Sequence, residues 1–318
     1  MRTLMLPVLV CNWVLLAPSA FSQETPGQVD EPGAARFKSE VDQVVLYASV
    51  YNKKDQLVSS LTKDDFQVYE DRLLQKVTYF GLDDIPSTIG IVMDKSGSMR
   101  SKMDLVNQAT QLFLSLNNPG NELFLITFDD EVILEEPFTR DIEDIRDALD
   151  NIIVSGGTAL YDAIYLAVDQ VREGHEPKKA IMVFTDGEDK DSYYNHDELL
   201  DKVREADAQV YIVAFLDPDL SDEGGFFGIF KSERDKVVKN IRTVAEYTGG
   251  KAFFPEKIGE LSGIFQTIAH ELRNQYRLAY VSSNPARDGK WREVRVVVNQ
   301  AKEKGLKVRA KKGYYAKK

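Results

Sequence analysis

An apolar run ends in a carboxylate and two hydroxyl side chains near residue 94. Residues 87–93 have the continuous apolar, β-branched character of a strand buried on both faces, followed by the Gly and Ser of a tight turn into a helix. Asp94 follows this run, and Ser96 and Ser98 come after it at alternate positions. Ligands of open parallel sheets bind outside the carboxyl ends of the strands. Because Mg²⁺ prefers oxygen ligands and keeps several waters, these three side chains predict a site for a hard divalent cation.

Two further segments could supply the remaining oxygen ligands. The glycine turn Gly156-Gly157 presents Thr158 at a predicted helix start. A second buried-strand run, residues 180–185, ends in Asp186. The alternative is that these Ser, Thr and Asp side chains only cap helices and close turns, since the same residue types serve that structural role.

The motifs Asp-x-Ser-x-Ser, Gly-Gly-Thr and Thr-Asp-Gly, in this order, resemble the metal-ion-dependent adhesion site of von Willebrand factor type A domains. In that family such residues hold one divalent cation, and the second aspartate usually acts through water. The resemblance implies a protein-binding module whose cation has an open position for an Asp or Glu of the partner. The cofactor is expected to be Mg²⁺, with Mn²⁺ or Ca²⁺ as alternatives. Carried over by position, the ligands are Asp94, Ser96, Ser98, Thr158 and Asp186.

The amino terminus predicts export from the cell. Arg2 precedes an apolar stretch that ends near residue 16, and small residues precede a cleavage point after Ser22. Residues 1–22 are therefore expected to be a signal peptide, and 23–36, rich in Pro and Gly, a disordered linker. The apolar stretch is too short to span a bilayer. We expect a periplasmic or secreted protein with no integral membrane span once the signal is removed.

Composition limits the classes of partner. The 318 residues are 43% hydrophobic, enough for a large core, and carry a formal net charge of −11. Such an acidic chain argues against nucleic acid and anionic lipid as partners. The three histidines have no paired spacing, so a zinc site is not expected.

The order of predicted elements indicates an α/β fold with β-rich flanks. Strands and helices alternate over residues 85–275, which predicts a doubly wound, mainly parallel sheet of the Rossmann-like von Willebrand factor A type. Residues 37–84 alternate apolar and polar positions as antiparallel strands. Residues 276–318 predict a β-hairpin and a further short strand that pack with the first flank into one small subdomain. Both flanks resemble a bacterial, Acidobacteria-type family of exported von Willebrand factor A-related proteins.

Aromatic residues in two loops are candidates for a rim that contacts the partner. A predicted loop over residues 217–235 carries Phe226, Phe227 and Phe230, and a second loop carries Tyr193 and Tyr194. Exposed aromatics mark interfaces. The alternatives are that the first loop forms its own small core, and that the second ends in a helix cap at Asp191 or Asn195.

Two other classes of function compete with a binding module. A Mg²⁺ held by aspartates at strand ends also serves phosphoryl transfer, which would make the protein a Mg²⁺-dependent hydrolase. The sequence contains neither a Gly-x-Ser-x-Gly elbow nor a Gly-rich phosphate loop, and it places no His beside Asp94, so we assign no catalytic residues and expect no enzyme. The other alternative is a structural envelope protein with a non-functional metal site.

Overall fold

The computed structural model describes residues 42–216, 227–299 and 305–318. The predicted signal peptide and linker lie outside these residues, as does Phe226 of the predicted rim. The strands of the described residues are β1 (Gln43–Tyr51), β2 (Phe66–Glu70), β3 (Leu73–Gln75), β4 (Val77–Gly81), β5 (Ser87–Asp94), β6 (Glu122–Phe128), β7 (Val132–Thr139), β8 (Lys178–Thr185), β9 (Gln209–Ala214), β10 (Ala252–Phe253), β11 (Tyr276–Val281), β12 (Trp291–Val298), β13 (Lys307–Arg309) and β14 (Gly313–Tyr315). Their α-helices are α1 (Met103–Leu116), α2 (Ile142–Asp150), α3 (Leu160–Glu173), α4 (His196–Glu205), α5 (Phe227–Thr248) and α6 (Leu261–Arg273).

A six-stranded sheet forms the centre of the α/β domain. Its strand order is β10-β9-β8-β5-β6-β7, with all neighbouring strands parallel except the antiparallel pair of β6 and β7. Every residue of β5, β6 and β9 is buried, as expected for strands covered on both faces. The expected doubly wound, mainly parallel sheet is confirmed.

Helices cover both faces of this sheet. Alternate residues of β5 point to opposite faces, so Ile91 packs with α1, α2 and α6, whereas Val92 packs with α3, α4 and α5. The inner faces of the helices supply large apolar side chains, such as Phe113 of α1 and Phe265 of α6, whose rings meet edge to face at 6.3 Å. Two cores therefore hold the carboxyl ends of the strands in fixed relative positions.

The two flanks of the chain form a β-sandwich. One sheet has the order β13-β1-β11-β4 and the other β14-β12-β2-β3. Leu46 and Val50 of β1, Val68 of β2 and Leu278 of β11 are fully buried between the sheets. The expectation that both flanks share one β-rich subdomain is confirmed.

The predicted C-terminal hairpin is wrong. The strand at 276–281 pairs with β1 and β4, while the strand at 291–298 pairs with β14 and β2 in the opposite sheet. The turn residues between them were recognised correctly as a reversal of the chain. However, residues 282–290 are numerous enough to cross the roughly 10 Å between two packed sheets.

Two further elements differ from the sequence expectations. Strand β7 was not predicted, because as an edge strand it is exposed over much of its length and lacks a continuous apolar run. Helix α5 begins at Phe227, so Phe227 and Phe230 lie in a helix and not in a loop that extends to residue 235. Glycines at 224, 225 and 228 suggested a longer loop, but Gly228 lies in the first turn of the helix, where glycine is tolerated.

The sandwich contacts the α/β domain at the amino ends of the parallel strands. Lys178, the first residue of β8, places its ammonium 5.4 Å from the ring centroid of Tyr47 in β1. On the same side, the Lys312 amide donates to the carbonyl of Tyr247 at 3.1 Å. The carboxyl ends of the strands thus lie at the edge of the sheet remote from the sandwich.

Among the described residues, no helix combines the length and the apolar character that crossing a membrane requires.

Candidate metal centre

Asp94 lies fully buried at the carboxyl end of the central strand β5. Its Oδ1 accepts a hydrogen bond from the Ser96 amide at 2.9 Å, and its Oδ2 accepts one from the Thr185 hydroxyl at 2.8 Å. Thr185 ends the neighbouring strand β8. The carboxylate of Asp94 is therefore fixed from its own turn and from the adjacent strand.

The two serines connect this carboxylate to Asp186. The hydroxyls of Ser96 and Ser98 lie 3.1 Å apart, and Ser98 Oγ donates to Asp186 Oδ2. The other oxygen of Asp186 accepts from the Glu188 amide at 3.2 Å. The structure thus brings four of the five predicted ligands into one hydrogen-bonded group.

The fifth predicted ligand, Thr158, lies on a loop that packs against the same turn. The Ser155 amide donates to the Lys95 carbonyl at 2.8 Å, and the Gly97 amide donates to the Gly156 carbonyl at 3.4 Å. Thr158 is buried, and its amide donates to Asp191 Oδ2 at 2.7 Å. No hydrogen bond among the described residues joins its side chain to the other four.

Both glycines of this loop are required by their surroundings. Gly156 has φ +69°, and a Cβ there would lie 2.1 Å from Asp130 Oδ1. A Cβ at Gly157 would lie 2.0 Å from Asp191 Oδ2. The Gly-Gly sequence before Thr158 therefore reflects close packing of two acidic loops against this turn.

The carboxylates around the site differ in whether a cationic side chain is paired with them. Burial raises the pKa of Asp94 from 3.8 to about 6, and the negative charge of Asp186 adds to that effect. Among the described residues, neither Asp94 nor Asp186 forms an ion pair. Asp129, by contrast, is paired with Lys95 at 2.8 Å. Burial acts to raise the pKa of Asp129, but the hydrogen bonds from Lys95, from the Glu131 amide and from Ser155 outweigh it and lower that pKa.

These residues fit a hard divalent cation. The donors are two carboxylates and three hydroxyls, which suit Mg²⁺, Mn²⁺ or Ca²⁺ better than softer metals. No group of three or more His, Cys, Asp or Glu with metal-binding geometry occurs in the described part of the chain. A cation would also supply the positive charge that the side chains around Asp94 and Asp186 do not provide.

Sequence reasoning did not assign three residues that shape the site. Thr185 precedes Asp186, and its position at the end of a predicted strand was a signal that its hydroxyl could reach a neighbouring strand. Asp129 was interpreted as closing a turn, and it does accept from the Glu131 amide at 2.9 Å. The sequence did not indicate that it also binds Lys95 and Ser155. Asp191 was considered a helix cap, but it accepts from the Thr158 amide.

The tyrosines predicted for the rim lie on the loop between β8 and α4. The side chain of Tyr193 is prominently exposed, with a relative accessibility of 87%. Tyr194 is half-buried and stacks on Tyr165 of α3, with ring centroids 3.8 Å apart. Asn195 caps α4, because its side-chain oxygen accepts hydrogen bonds from the amides of Asp197 and Glu198. The alternative that this loop ends in a helix cap is therefore correct for Asn195. A contact of these tyrosines with a partner stays a prediction.

Comparison with known proteins gives a partial match in sequence. The sequence model of the von Willebrand factor type A domain family matches residues 89–188. A UPF0353 protein from Nocardia farcinica is 24% identical over 218 residues, which cover 58% of this chain and 63% of that protein. An uncharacterized protein from Synechocystis sp. is 26% identical over 110 residues, covering 33% of this chain and 26% of that protein. The chain therefore spans less than two thirds of the length of either relative.

Solved structures with a similar fold have low sequence identity to this chain. A von Willebrand factor type A protein from Catenulispora acidiphila has a TM-score of 0.49 and 12% identity, covering 88% of this chain and 74% of that one. BatB from Bacteroides thetaiotaomicron has a TM-score of 0.44 and 17% identity, covering 60% of this chain and 100% of that one.

The α/β domain of this chain is a von Willebrand factor type A domain. The matched residues 89–188 run from β5 to the loop that follows Asp186, and they contain every residue of the candidate metal centre. Domains of this class commonly mediate protein–protein interaction.

Proposed function

We propose that this protein is an exported binding module that recognises a partner protein through a divalent cation. Asp94, Ser96 and Ser98 would ligate the cation directly, Thr158 would add a neutral oxygen, and Asp186 would act through water. The bound cation, Mg²⁺ or else Mn²⁺ or Ca²⁺, supplies an open coordination position for a carboxylate. The partner would fill that position with an Asp or Glu side chain.

The observation that carries this proposal is the uncompensated negative charge at the carboxyl edge of the sheet. Two carboxylates that lack an ion pair among the described residues, one of them fully buried, are held in a group with serine hydroxyls. A purely structural cluster would be expected to neutralise a buried carboxylate, as Lys95 does for Asp129 a short distance away. Charge left unpaired in this way is the arrangement that cation binding requires.

A hydrolase using the same cation is the less favoured function. The cationic side chain nearest the site along the chain is Lys95, and its ammonium is committed to Asp129. Thr185 and the serines bind the two aspartates, and none of them has a histidine among its described hydrogen-bond partners. A serine nucleophile needs an adjacent base, so we propose binding and not turnover. A structural envelope role would leave the cation without effect on recognition.

Partner capture with and without the cation tests the proposed function. The purified protein is immobilised and exposed to the exported and surface proteins of its source cell in Mg²⁺ or in EDTA. We expect a partner to be retained by the wild type only in Mg²⁺, and to be lost with Asp94→Asn. Asp104→Asn, at an exposed position of α1, is the matched control and should retain the partner. Retention that chelator leaves unchanged would refute metal-bridged recognition, and turnover of phosphoester substrates would favour the hydrolase.

A further inference from the structure

A cleft opens directly beside the candidate metal centre. It begins at Gly187, the residue after Asp186, and extends between the loop before α4 and helix α5. Its volume is about 860 Å³, which falls within the range of sites that bind small ligands or peptide side chains. Tyr193 and Asp197 stand on one wall, and Lys236 of α5 stands on another. A partner that reaches the metal centre would therefore also cover this cleft.

The backbone of Tyr193 is fixed by a hydrogen bond, and its exposed ring contacts one other ring. The two carboxylate oxygens of Asp162 accept the amides of Tyr193 and Tyr194, each at 2.9 Å. The Tyr193 ring meets the Tyr194 ring edge to face at 5.3 Å, and Tyr194 in turn stacks on Tyr165. The ammonium of Lys202 also contacts the Tyr165 ring, at 4.2 Å from its centroid. An exposed aromatic side chain with a fixed backbone has few rotatable bonds left to order on binding, as is typical of an interface anchor.

The charges of the cleft favour a positively charged occupant. Three carboxylates, of Glu188, Asp189 and Asp197, line it together with the two ammonium groups of Lys190 and Lys236. Lys190 is paired with Glu188, and His196 Nδ1 lies 3.6 Å from Asp197 Oδ1, so the carboxylates of the cleft outnumber its ammonium groups by three to two. The Asp197 side chain is almost fully exposed, whereas Asp189 is half-buried and accepts from the Ser192 hydroxyl at 2.5 Å. A basic side chain could lie against the Tyr193 ring and between these carboxylates.

We propose that the cleft binds a basic side chain of the partner, in the same segment whose carboxylate reaches the metal centre. The partner segment would then present an acidic residue to the cation and an Arg or Lys to Tyr193, Asp189 and Asp197. The inference rests on the proposed function for its acidic contact. The basic contact adds a second requirement for binding that the metal centre alone does not impose. The protein would therefore discriminate among partners that all offer an acidic side chain.

Surface plasmon resonance with designed peptides tests this proposal on the purified protein. The probes are immobilised Gly-Ser peptides that carry one Asp and one Arg, with the Arg placed one to four residues before or after the Asp. Matched peptides replace the Arg by Gln, or the Asp by Asn. In Mg²⁺, we expect the Asp-Arg peptide at the best spacing to bind about tenfold tighter than its Gln counterpart. Tyr193→Ala and Asp197→Asn should reduce that preference, while Tyr193→Phe should retain it.

The control is Tyr315→Ala, at a partly exposed tyrosine of the sandwich, which should leave the preference unchanged. Equal affinity for the Arg and Gln peptides at every spacing, including the absence of binding to either, overturns the proposal. A preference for Arg that Tyr193→Ala and Asp197→Asn both leave intact also overturns it. The proposed metal-dependent recognition fails separately, if binding of the Asp peptides persists in EDTA or equals that of the Asn peptides.

Discussion

The carboxylate of Glu271, on the last helix of the α/β domain, lies 2.5 Å from the guanidinium of Arg309, on a strand of the sandwich. Ser49 of β1 donates to the same carboxylate at 2.7 Å, and Tyr211 of β9 donates at 3.0 Å. The Glu271 side chain is 1% exposed. The sandwich thus supplies the counter-charge for a buried acid of the von Willebrand factor A domain, so the two parts share one buried ion pair.

Arg309→Met should destabilise the protein strongly. The substitution leaves the Glu271 carboxylate buried without its ion-pair partner, which costs about 3–5 kcal/mol of unfolding free energy. Urea denaturation at pH 7.5 measures the change. The double variant Glu271→Gln with Arg309→Met should recover much of the loss, because the buried charge is then removed as well.

The matched control for this ion pair is Lys312→Met. Lys312 is paired with Glu246 at 3.3 Å, but both side chains are at least half exposed. Its removal should change the free energy of unfolding by less than about 1 kcal/mol. Similar losses for Arg309→Met and Lys312→Met would show that the buried pair does not join the two parts energetically.

Asp94→Asn should abolish the stabilisation by Mg²⁺. Mg²⁺ at about a hundred times its dissociation constant should raise the unfolding free energy of the wild type by about 2.7 kcal/mol through linkage. The variant loses the direct carboxylate ligand, so its melting temperature should not respond to Mg²⁺. Thermal denaturation across a Mg²⁺ titration is the measurement, with Asp104→Asn as the responsive control. An equal response of wild type and Asp94→Asn would rule out this metal centre.

Without metal, the same substitution should have the opposite effect. The pKa of Asp94 is raised to about 6, so the folded protein holds this proton more tightly than the unfolded chain does. The ionised carboxylate therefore costs roughly 3 kcal/mol above pH 6, and that cost disappears as the pH falls from about 6 to about 4. In EDTA, Asp94→Asn should be more stable than the wild type at pH 7.5.

Urea denaturation in EDTA between pH 7.5 and 4.5 measures this pH effect. The difference in unfolding free energy between Asp94→Asn and the wild type should narrow by roughly 2 kcal/mol across that range. A difference that stays constant with pH would mean that the buried carboxylate does not titrate as described.

Gly156→Ala should disturb the loop that carries Thr158. The positive φ and the contact with Asp130 oppose any side chain there, so the loss should be at least about 1 kcal/mol. The metal response should weaken with it, because the loop packs against the turn of the first motif. Gly263→Ala, in α6 with nothing within 4 Å of the added methyl, is the control and should stabilise the protein by about 0.5–1 kcal/mol. Melting curves with and without Mg²⁺ distinguish these outcomes.

Most of the α/β fold and the grouping of the candidate metal-site residues could be predicted from the sequence. Strands such as 87–94 are continuously apolar, and parallel strands bring their carboxyl ends together, so Asp94 and Asp186 had to meet. The pairing of strands 276–281 and 291–298 could not be predicted, because a turn sequence reports a reversal but not which sheet receives the next strand. The side chains that contact Glu271 could not be predicted either. They come from three distant segments and meet only after the sandwich and the α/β domain have packed together.

The position of the sandwich determines the direction in which a pulling force would act on the central sheet. The sandwich adjoins the amino ends of the parallel strands, and Asp94 lies at the carboxyl end of β5, about 23 Å from the first residue of that strand at 3.3 Å per residue. Strand β5 is paired along its length with two parallel neighbours, β6 and β8. A pull between the candidate metal centre and the sandwich would load the hydrogen bonds between these strands in shear, so that many hydrogen bonds resist together and do not open one at a time. The domain is therefore suited to bear tension on whatever is bound at that edge.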